Sequence, residues 1–218
     1  MKPFRPIRCL LLLLLLLQGM MGVAQHYVQI HGEVDTLMVL PKLGGDSVYL
    51  VNDFLTVVEG GDLRIEAGAK MYFNQSTSLR VDGGKLQLDG QPNDSIYLLC
   101  YEFSHDWSGV QLKNITSEDS VRFSYVEFVG ALTALSATNA EQIVVDHCKF
   151  NNYYAGKGIE LVDCSRCQVD SCFFYQCVSG IELNARDGNS EGNSFTHNIF
   201  DQGQINIEVS NVGYGFKC

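Results

Sequence analysis

The sequence lacks any pattern that would support a helix in the mature protein. Beyond residue 25, no run of helical length places apolar residues at positions i, i+3 and i+4, which is the signature of an amphipathic helix. No segment after the N-terminal leucine run is long and apolar enough to cross a bilayer, where about 20 residues are needed. These absences exclude a helical bundle and a later transmembrane helix.

Positive charge is also scarce. The chain has 15 Lys and Arg residues against 25 Asp and Glu residues. Three of the basic residues, Lys2, Arg5 and Arg8, lie at the extreme N-terminus; without them 12 basic and 25 acidic residues remain, a net charge of −13. Such a surface repels phosphate backbones, which argues against a nucleic-acid partner. It suits a soluble extracytoplasmic protein and cation binding alike.

Residues 1–24 read as a secretory signal peptide. A basic start precedes the unbroken apolar run 10–17, and Gly22-Val23-Ala24 forms a small-residue cleavage site before Gln25. The apolar run is too short to span a bilayer. We therefore expect a secreted or extracytoplasmic protein, at the cell surface or free.

The feature that is present is an internal repeat. Phenylalanines recur at spacings of 22, 24 and 26 residues, and a second line follows them: Gly158-Ile-Glu-Leu, Gly180-Ile-Glu-Leu and Asn206-Ile-Glu-Val. The four repeated phenylalanines are Phe128, Phe150, Phe174 and Phe200. A fixed period of this length indicates stacked copies of one supersecondary unit.

Each unit consists of short strands. Apolar and polar residues alternate, as in Ile159-Glu160-Leu161, which is the period of a half-buried strand. Gly, Asn, Asp and Ser separate these runs. We predict an all-β fold, a right-handed parallel β-helix solenoid with coils of 22–26 residues, in which the repeated phenylalanines form one buried ladder.

The first half resembles the opening coils of secreted right-handed parallel β-helix proteins of the pectin-lyase-like type, especially those of Bacteroidetes. The resemblance rests on the strand Val48-Tyr-Leu-Val, the segment 61–69, the strand that starts at Ser78 and the Trp107-Ser-Gly-Val strand. It covers roughly residues 45–215 and implies the fold rather than a function.

This reading divides the chain into a signal peptide (1–24), a lead-in or N-terminal cap (25–44) and a β-helix (45–218). A solenoid needs a polar cap at each end. None is visible near Cys218, so we expect that the chain is a fragment or that a partner covers its last coil.

Seven cysteines follow the predicted signal, four of them in Cys164-x2-Cys167-x4-Cys172-x4-Cys177. Cys-x2-Cys spacing is typical of zinc sites, but the repeat places these residues at inward core positions, which favours buried thiols and no metal. A disulfide is the alternative in a secreted protein, with Cys148 and Cys172, at the same position of adjacent coils, as the pair to bridge.

The repeat also stacks Glu160, Glu182 and Glu208 in one outward column. Like charges at strand spacing repel one another, so the column is either solvated, paired with a base or bound to a cation. In the β-helix lyases and hydrolases that the chain resembles, acidic residues on this strand face bind Ca²⁺ or act as acid and base. The three glutamates are thus an alternative catalytic or Ca²⁺ site, although the polygalacturonase motifs and a clear lyase set are absent.

Aromatic residues with neighbouring amides give a binding hypothesis. Exposed rings beside amides suit sugar stacking, and tyrosines at bends also cover the edge of a core. The predicted substrate-binding residues are Tyr153, Tyr154, Tyr175, Asn151 and Asn152.

Taken together, these patterns predict a secreted or surface-attached binding or structural module, directed towards glycans or a cell-envelope partner, without a cofactor. The alternative is a polysaccharide lyase or glycoside hydrolase that acts along the glutamate face, with Ca²⁺ as its cofactor.

Overall fold

The computed structural model describes residues 25–101, 107–153, 156–186 and 190–210. The predicted signal segment and Tyr154 lie outside these ranges. None of the described residues is helical. The chain instead winds through short parallel strands that form three walls, which we call front, side and back.

The strands of each wall pair in parallel with the equivalent strand of the next coil. The front wall contains β6 (Leu79–Asp82), β9 (Val110–Ile115), β12 (Thr133–Ala140), β15 (Lys157–Val162), β18 (Ser179–Asn184) and β21 (Ile205–Ser210). The side wall contains β2 (Leu37–Leu40), β4 (Asp62–Glu66), β7 (Lys85–Asp89), β10 (Val121–Ser124), β13 (Val144–Asp146), β16 (Gln168–Asp170) and β19 (Ser194–Thr196). The back wall contains β5 (Lys70–Phe73), β8 (Ile96–Cys100), β11 (Val126–Val129), β14 (Lys149–Asn151), β17 (Phe173–Tyr175) and β20 (Ile199–Asp201).

Two longer strands, β1 (Tyr27–Val34) and β3 (Val48–Val58), cross from the back wall to the front wall. The first half of β3 pairs with β5, and its second half pairs with β6. β1 pairs with β3, and β2 pairs with β4. The lead-in segment 25–44 therefore adds a rung to all three walls, in the same parallel register as the coils that follow.

The phenylalanine ladder is confirmed. Consecutive rings stack with centroids 4.8, 4.7 and 4.9 Å apart and with planes within 13° of parallel. The first three rings are at most 2% exposed, and Phe200 on the last described coil is half-buried. Inward residues must repeat from coil to coil because each rung of the core lies directly on the previous one, about 4.8 Å away.

The ladder also explains the glycine that begins each Gly-Ile-Glu-Leu run. A Cβ atom on Gly158 would lie 2.6 Å from the Phe174 ring, and one on Gly180 would lie 2.4 Å from the Phe200 ring. The phenylalanine of the following coil therefore packs on bare backbone.

Coil length matches the predicted 22–26 residues in the second half, where Phe128 pairs with Phe150, Phe150 with Phe174, and Phe174 with Phe200. One earlier coil is longer: Leu79 pairs with Val110, 31 residues further on. Part of the extra length lies in the turn 90–95, where Gln91 and Asp94 form a bridge of their own.

Left-handed backbone at single residues makes the sharp bends between walls. The bend between side and back walls falls on Tyr125, His147, Ser171 and His197, with φ of 50–55°. The bend at the end of the front wall falls on Asn114, Asn139 and Asp163, with φ of 52–53°. Asn and Asp tolerate this region better than most residues, and the bend projects their side chains outward.

Candidate functional site

The three predicted glutamates do form one column on the outside of the front wall. Glu160 pairs in register with Glu182, and Glu182 with Glu208. The column continues upward through Ser136 and Gln111 to Arg80. The face thus changes from basic at Arg80 to acidic at Glu208 over five strand spacings, about 24 Å.

The glutamates are not the repelling column that the repeat alone suggests, because a lysine lies between two of them. Lys157 Nζ lies 2.7 Å from Glu160 Oε1 and 2.7 Å from Glu182 Oε2. Partial burial lowers the pKa of Lys157, but hydrogen bonds from its ammonium to both carboxylates outweigh burial, and the pKa is raised overall. Lys157 therefore stays protonated at neutral pH.

This arrangement bears on catalysis. A lyase base must lose its proton near the working pH, and a lysine with a raised pKa does not. Arg80 lies three strand spacings from Glu160, about 14 Å, so the described front wall does not bring that arginine to the carboxylates. Among the residues that the structure describes, no group of three His, Cys, Asp or Glu side chains is placed to hold a metal ion.

A polar cleft of about 810 Å³ opens where the front-wall strands end. Four consecutive coils line it, through residues 114–116, residues 139–141, the set Asp163, Ser165 and Arg166, and residues 191–192. The left-handed bend directs the side chains of Asn114, Asn139 and Asp163 to this edge. Sequence reasoning missed the cleft, although the Asn or Asp at or next to the end of β9, β12 and β15 was a signal for it.

Charges in the cleft are largely paired. Arg166 forms an ion pair with Glu141 of the previous coil. Asp163 lies 3.8 Å from the guanidinium of Arg186. Asn114 donates a hydrogen bond of 2.7 Å to Asp82. The lining carries three carboxylates, Glu141, Asp163 and Glu191, against the one guanidinium of Arg166. The cleft therefore offers hydrogen-bonding groups of both kinds with an acidic balance.

The predicted aromatic and amide residues lie elsewhere, and they do not share one environment. Asn151 and Tyr175 pair across the outside of the back wall. Tyr153 is 44% exposed at the bend that follows, and Tyr154 lies outside the described residues. Neither Asn151 nor Tyr175 lines the front-wall cleft.

Asn152, which the sequence predicts to be a ligand-binding amide, is engaged with the backbone of its own bend. Asn152 is only 2% exposed. Its Oδ1 accepts a hydrogen bond from the backbone N–H of Ala131, and its Nδ2 donates to the carbonyl of Lys157. The amide thus satisfies backbone groups of the bend, as buried polar groups must, and holds the start of β15 in place.

The described cysteines are buried free thiols. Cys148 lies beside Cys172 inside the core, and Cys164 lies beside Cys167. Each of these thiols donates a hydrogen bond to a backbone carbonyl. Burial raises the pKa of Cys148 well above its ordinary value, whereas the hydrogen bond from Cys167 lowers the pKa of Cys164. The Cys148–Cys172 bridge remains a prediction for oxidised protein.

The fold and the stacked register define a parallel β-solenoid. The chain belongs to the family described as right handed beta helix region, which matches residues 64–217. No curated protein matches the sequence. A similar solved structure comes from Parabacteroides merdae and carries the provisional description of glycosyl hydrolase; it is 12% identical, the match covers 84% of this chain and 82% of that one, and the TM-score is 0.38.

No helix among the described residues is long and apolar enough to cross a membrane.

Proposed function

We propose that this protein is a secreted or surface-attached binding module that holds an extended, neutral polysaccharide along the front wall and in the cleft beside it. The observation that carries the proposal is the cleft of about 810 Å³, which runs across four coils and is lined by amide, carboxylate and guanidinium groups. Its volume lies within the range of small-molecule sites, about 300–1,000 Å³.

The charge of the chain selects the class of glycan. Without the predicted signal the chain carries a net charge of −13, and the front wall ends in a carboxylate column. A polyuronate or a phosphorylated envelope polymer would meet repulsion along this surface. Sugar hydroxyl groups both donate and accept hydrogen bonds, which suits paired charges such as Arg166–Glu141 and amides such as Asn139.

Binding without cleavage is supported better than catalysis. Lys157 bridges Glu160 and Glu182 and keeps its own proton, so neither a free carboxylate pair nor a neutral lysine base is available there. The alternative, a lyase or glycoside hydrolase on the glutamate face, requires a substrate to displace Lys157 from one of the carboxylates.

Isothermal titration with neutral hexasaccharides such as cellohexaose, xylohexaose and mannohexaose tests the proposal. Asn139→Gly removes a cleft side chain while glycine accepts the φ of 52°. We expect this variant to bind about three- to tenfold more weakly, the value of a lost hydrogen bond. The control is Ser76→Gly, an exposed left-handed residue outside the cleft, which should bind like the native protein. Equal binding by both variants would refute the cleft as the site.

A further inference from the structure

The outside of the back wall carries a second, smaller cleft of different chemistry. Its volume is about 190 Å³. Phe173 and Tyr175 project into it from β17, with ring centroids 6.2 Å apart and planes 13° from parallel. Val129 and Asn151 occupy the positions beside Tyr175 on the two preceding back-wall strands. Two half-buried aromatic rings therefore form one side of a largely apolar depression.

The depression contains an unused hydrogen-bond acceptor. Asn151 Oδ1 is shielded from solvent and accepts no hydrogen bond. An unpaired buried acceptor costs free energy in the unliganded protein, and the amide lines the cleft. A rotation of the Asn151 amide would turn this oxygen towards the cleft, where a hydroxyl donor of a ligand would remove that cost.

The charges beside the cleft cancel. Lys149 Nζ lies 2.7 Å from Glu127 Oε1 on the adjacent strand. An anionic or cationic ligand would have to compete with this ion pair, whereas a neutral ligand would not. The Tyr175 hydroxyl group accepts a hydrogen bond from Gln176, so the phenol is held in position.

These three features together specify the occupant. Aromatic rings favour the apolar C–H face of a sugar, Asn151 favours a hydroxyl donor, and the ion pair favours zero net charge. The volume lies below the range for larger ligands, about 300–1,000 Å³, which suits a single ring. We infer that the back-wall cleft is a second glycan site, which holds one pyranose ring of a neutral polysaccharide between Phe173, Tyr175 and Asn151. The ligand class, though not the site, rests on the proposed function.

Two sites on different walls would let one protein molecule bind the same polymer at two places. The second contact then forms at a high effective concentration, and avidity for a polymer exceeds affinity for a short oligosaccharide. A protein with the front-wall site alone would not show this excess.

Saturation-transfer NMR and isothermal titration with the same neutral hexasaccharides test the second site. Tyr175→Ala should weaken binding at one of two resolved sites by about tenfold or more, since it removes a ring contact. Tyr175→Phe keeps the ring and should bind like the native protein. Asn151→Leu removes the acceptor and should weaken the same site without loss of melting temperature. Ile199→Ala, a back-wall side chain that is 62% exposed and outside the cleft, should change neither site.

The outcomes separate this inference from the proposed function. If Asn139→Gly weakens binding and neither Tyr175→Ala nor Asn151→Leu does, the front-wall proposal stands and the back-wall site is refuted. If Tyr175→Ala and Asn151→Leu weaken binding and Asn139→Gly does not, the back wall is the site and the front-wall cleft is refuted. If the native protein binds none of the hexasaccharides, both are refuted. If Tyr175→Ala does not fold, Asn151→Leu decides alone.

Discussion

Lys157 on β15 forms an ion pair with Glu182 on the next coil, with Nζ and Oε2 2.7 Å apart. The same ammonium group reaches Glu160 on its own strand. One lysine thus bridges two carboxylates that parallel stacking brings to adjacent rungs, and the three groups keep a net charge of −1. The glutamate column, the most conspicuous acidic feature of the sequence, is therefore a surface whose negative charge is partly compensated.

Replacement of Lys157 by Met should show how much this charge compensation stabilises the fold. Glu160 and Glu182 would then face each other without a cation, and we expect the free energy of unfolding to fall by about 1 kcal/mol, the upper range for surface pairs. Urea denaturation measures the change. Lys149→Met is the matched control: it breaks a single, more exposed pair with Glu127 and should cost less.

The pH dependence of this difference follows from the raised pKa of Lys157. A raised folded-state pKa gives stability that is complete below the unfolded-state pKa, here about 10.5, and is lost as pH rises through the folded-state value. The native protein and Lys157→Met should therefore differ by a constant amount between pH 8 and 10 and converge at higher pH. A difference that grows at high pH would contradict the assignment.

The phenylalanine ladder gives the clearest stability prediction. Phe174→Ala should lower the free energy of unfolding by about 3–5 kcal/mol, because a cavity opens between two stacked rings. Phe173→Ala serves as the control on the same strand, since that side chain points outward and is half-buried. Chemical denaturation of the two variants should rank them in this order, and a similar loss for both would mean that the ladder does not hold the coils together.

Asp170 on the side wall should titrate at unusually low pH. The Thr196 hydroxyl donates to its carboxylate at 2.5 Å, His197 lies 2.8 Å away, and these contacts lower the pKa of Asp170 to about 2. A lowered pKa stabilises the fold above the ordinary value of 3.8, and this stability is lost as pH falls through about 2. Carboxyl-carbon NMR should show the low titration, and Thr196→Val should move it upward. Thr138→Val on the front wall should not.

The Cys-x2-Cys segment should bind no metal. Cys164 and Cys167 are at most 1% exposed, and both thiols face backbone carbonyls within the core. A structural zinc site needs four ligands that converge on one point, and the described residues contain no group of three His, Cys, Asp or Glu side chains placed in this way. Elemental analysis of the purified protein should find no stoichiometric zinc; zinc that disappears in a Cys164→Ser, Cys167→Ser double variant would overturn this view.

How far the sequence predicts this molecule depends on whether a residue points inward. Phe150 and Phe174 repeat because each lies directly on its neighbour in the core, so their spacing alone reveals the register. The same register correctly stacks Glu160 on Glu182. Lys157 was missed because its partners depend on where a long side chain turns, which no repeat encodes.

The bends and the N-terminal segment were the hardest to predict. Asn152 looks like an exposed bend residue, but its amide bonds to backbone groups that only the folded bend brings together. In β1 the pairing register shifts between Ile30 and Gly32. This shift interrupts the alternation of inward and outward residues along the strand. Without the interruption, the alternation would have identified the segment 25–44 as part of the walls.

We propose that the front wall binds a glycan without cleaving it. The most direct measurement incubates the native protein and Glu182→Gln with neutral glycans and with polygalacturonate, with and without millimolar Ca²⁺, and follows new reducing ends and unsaturated products. We predict hexasaccharide binding by the native protein, no product in any reaction and no rise in melting temperature with Ca²⁺. Product formed by the native protein and lost in Glu182→Gln, or a Ca²⁺-dependent rise lost in the same variant, would contradict the account and assign catalysis to the glutamate column.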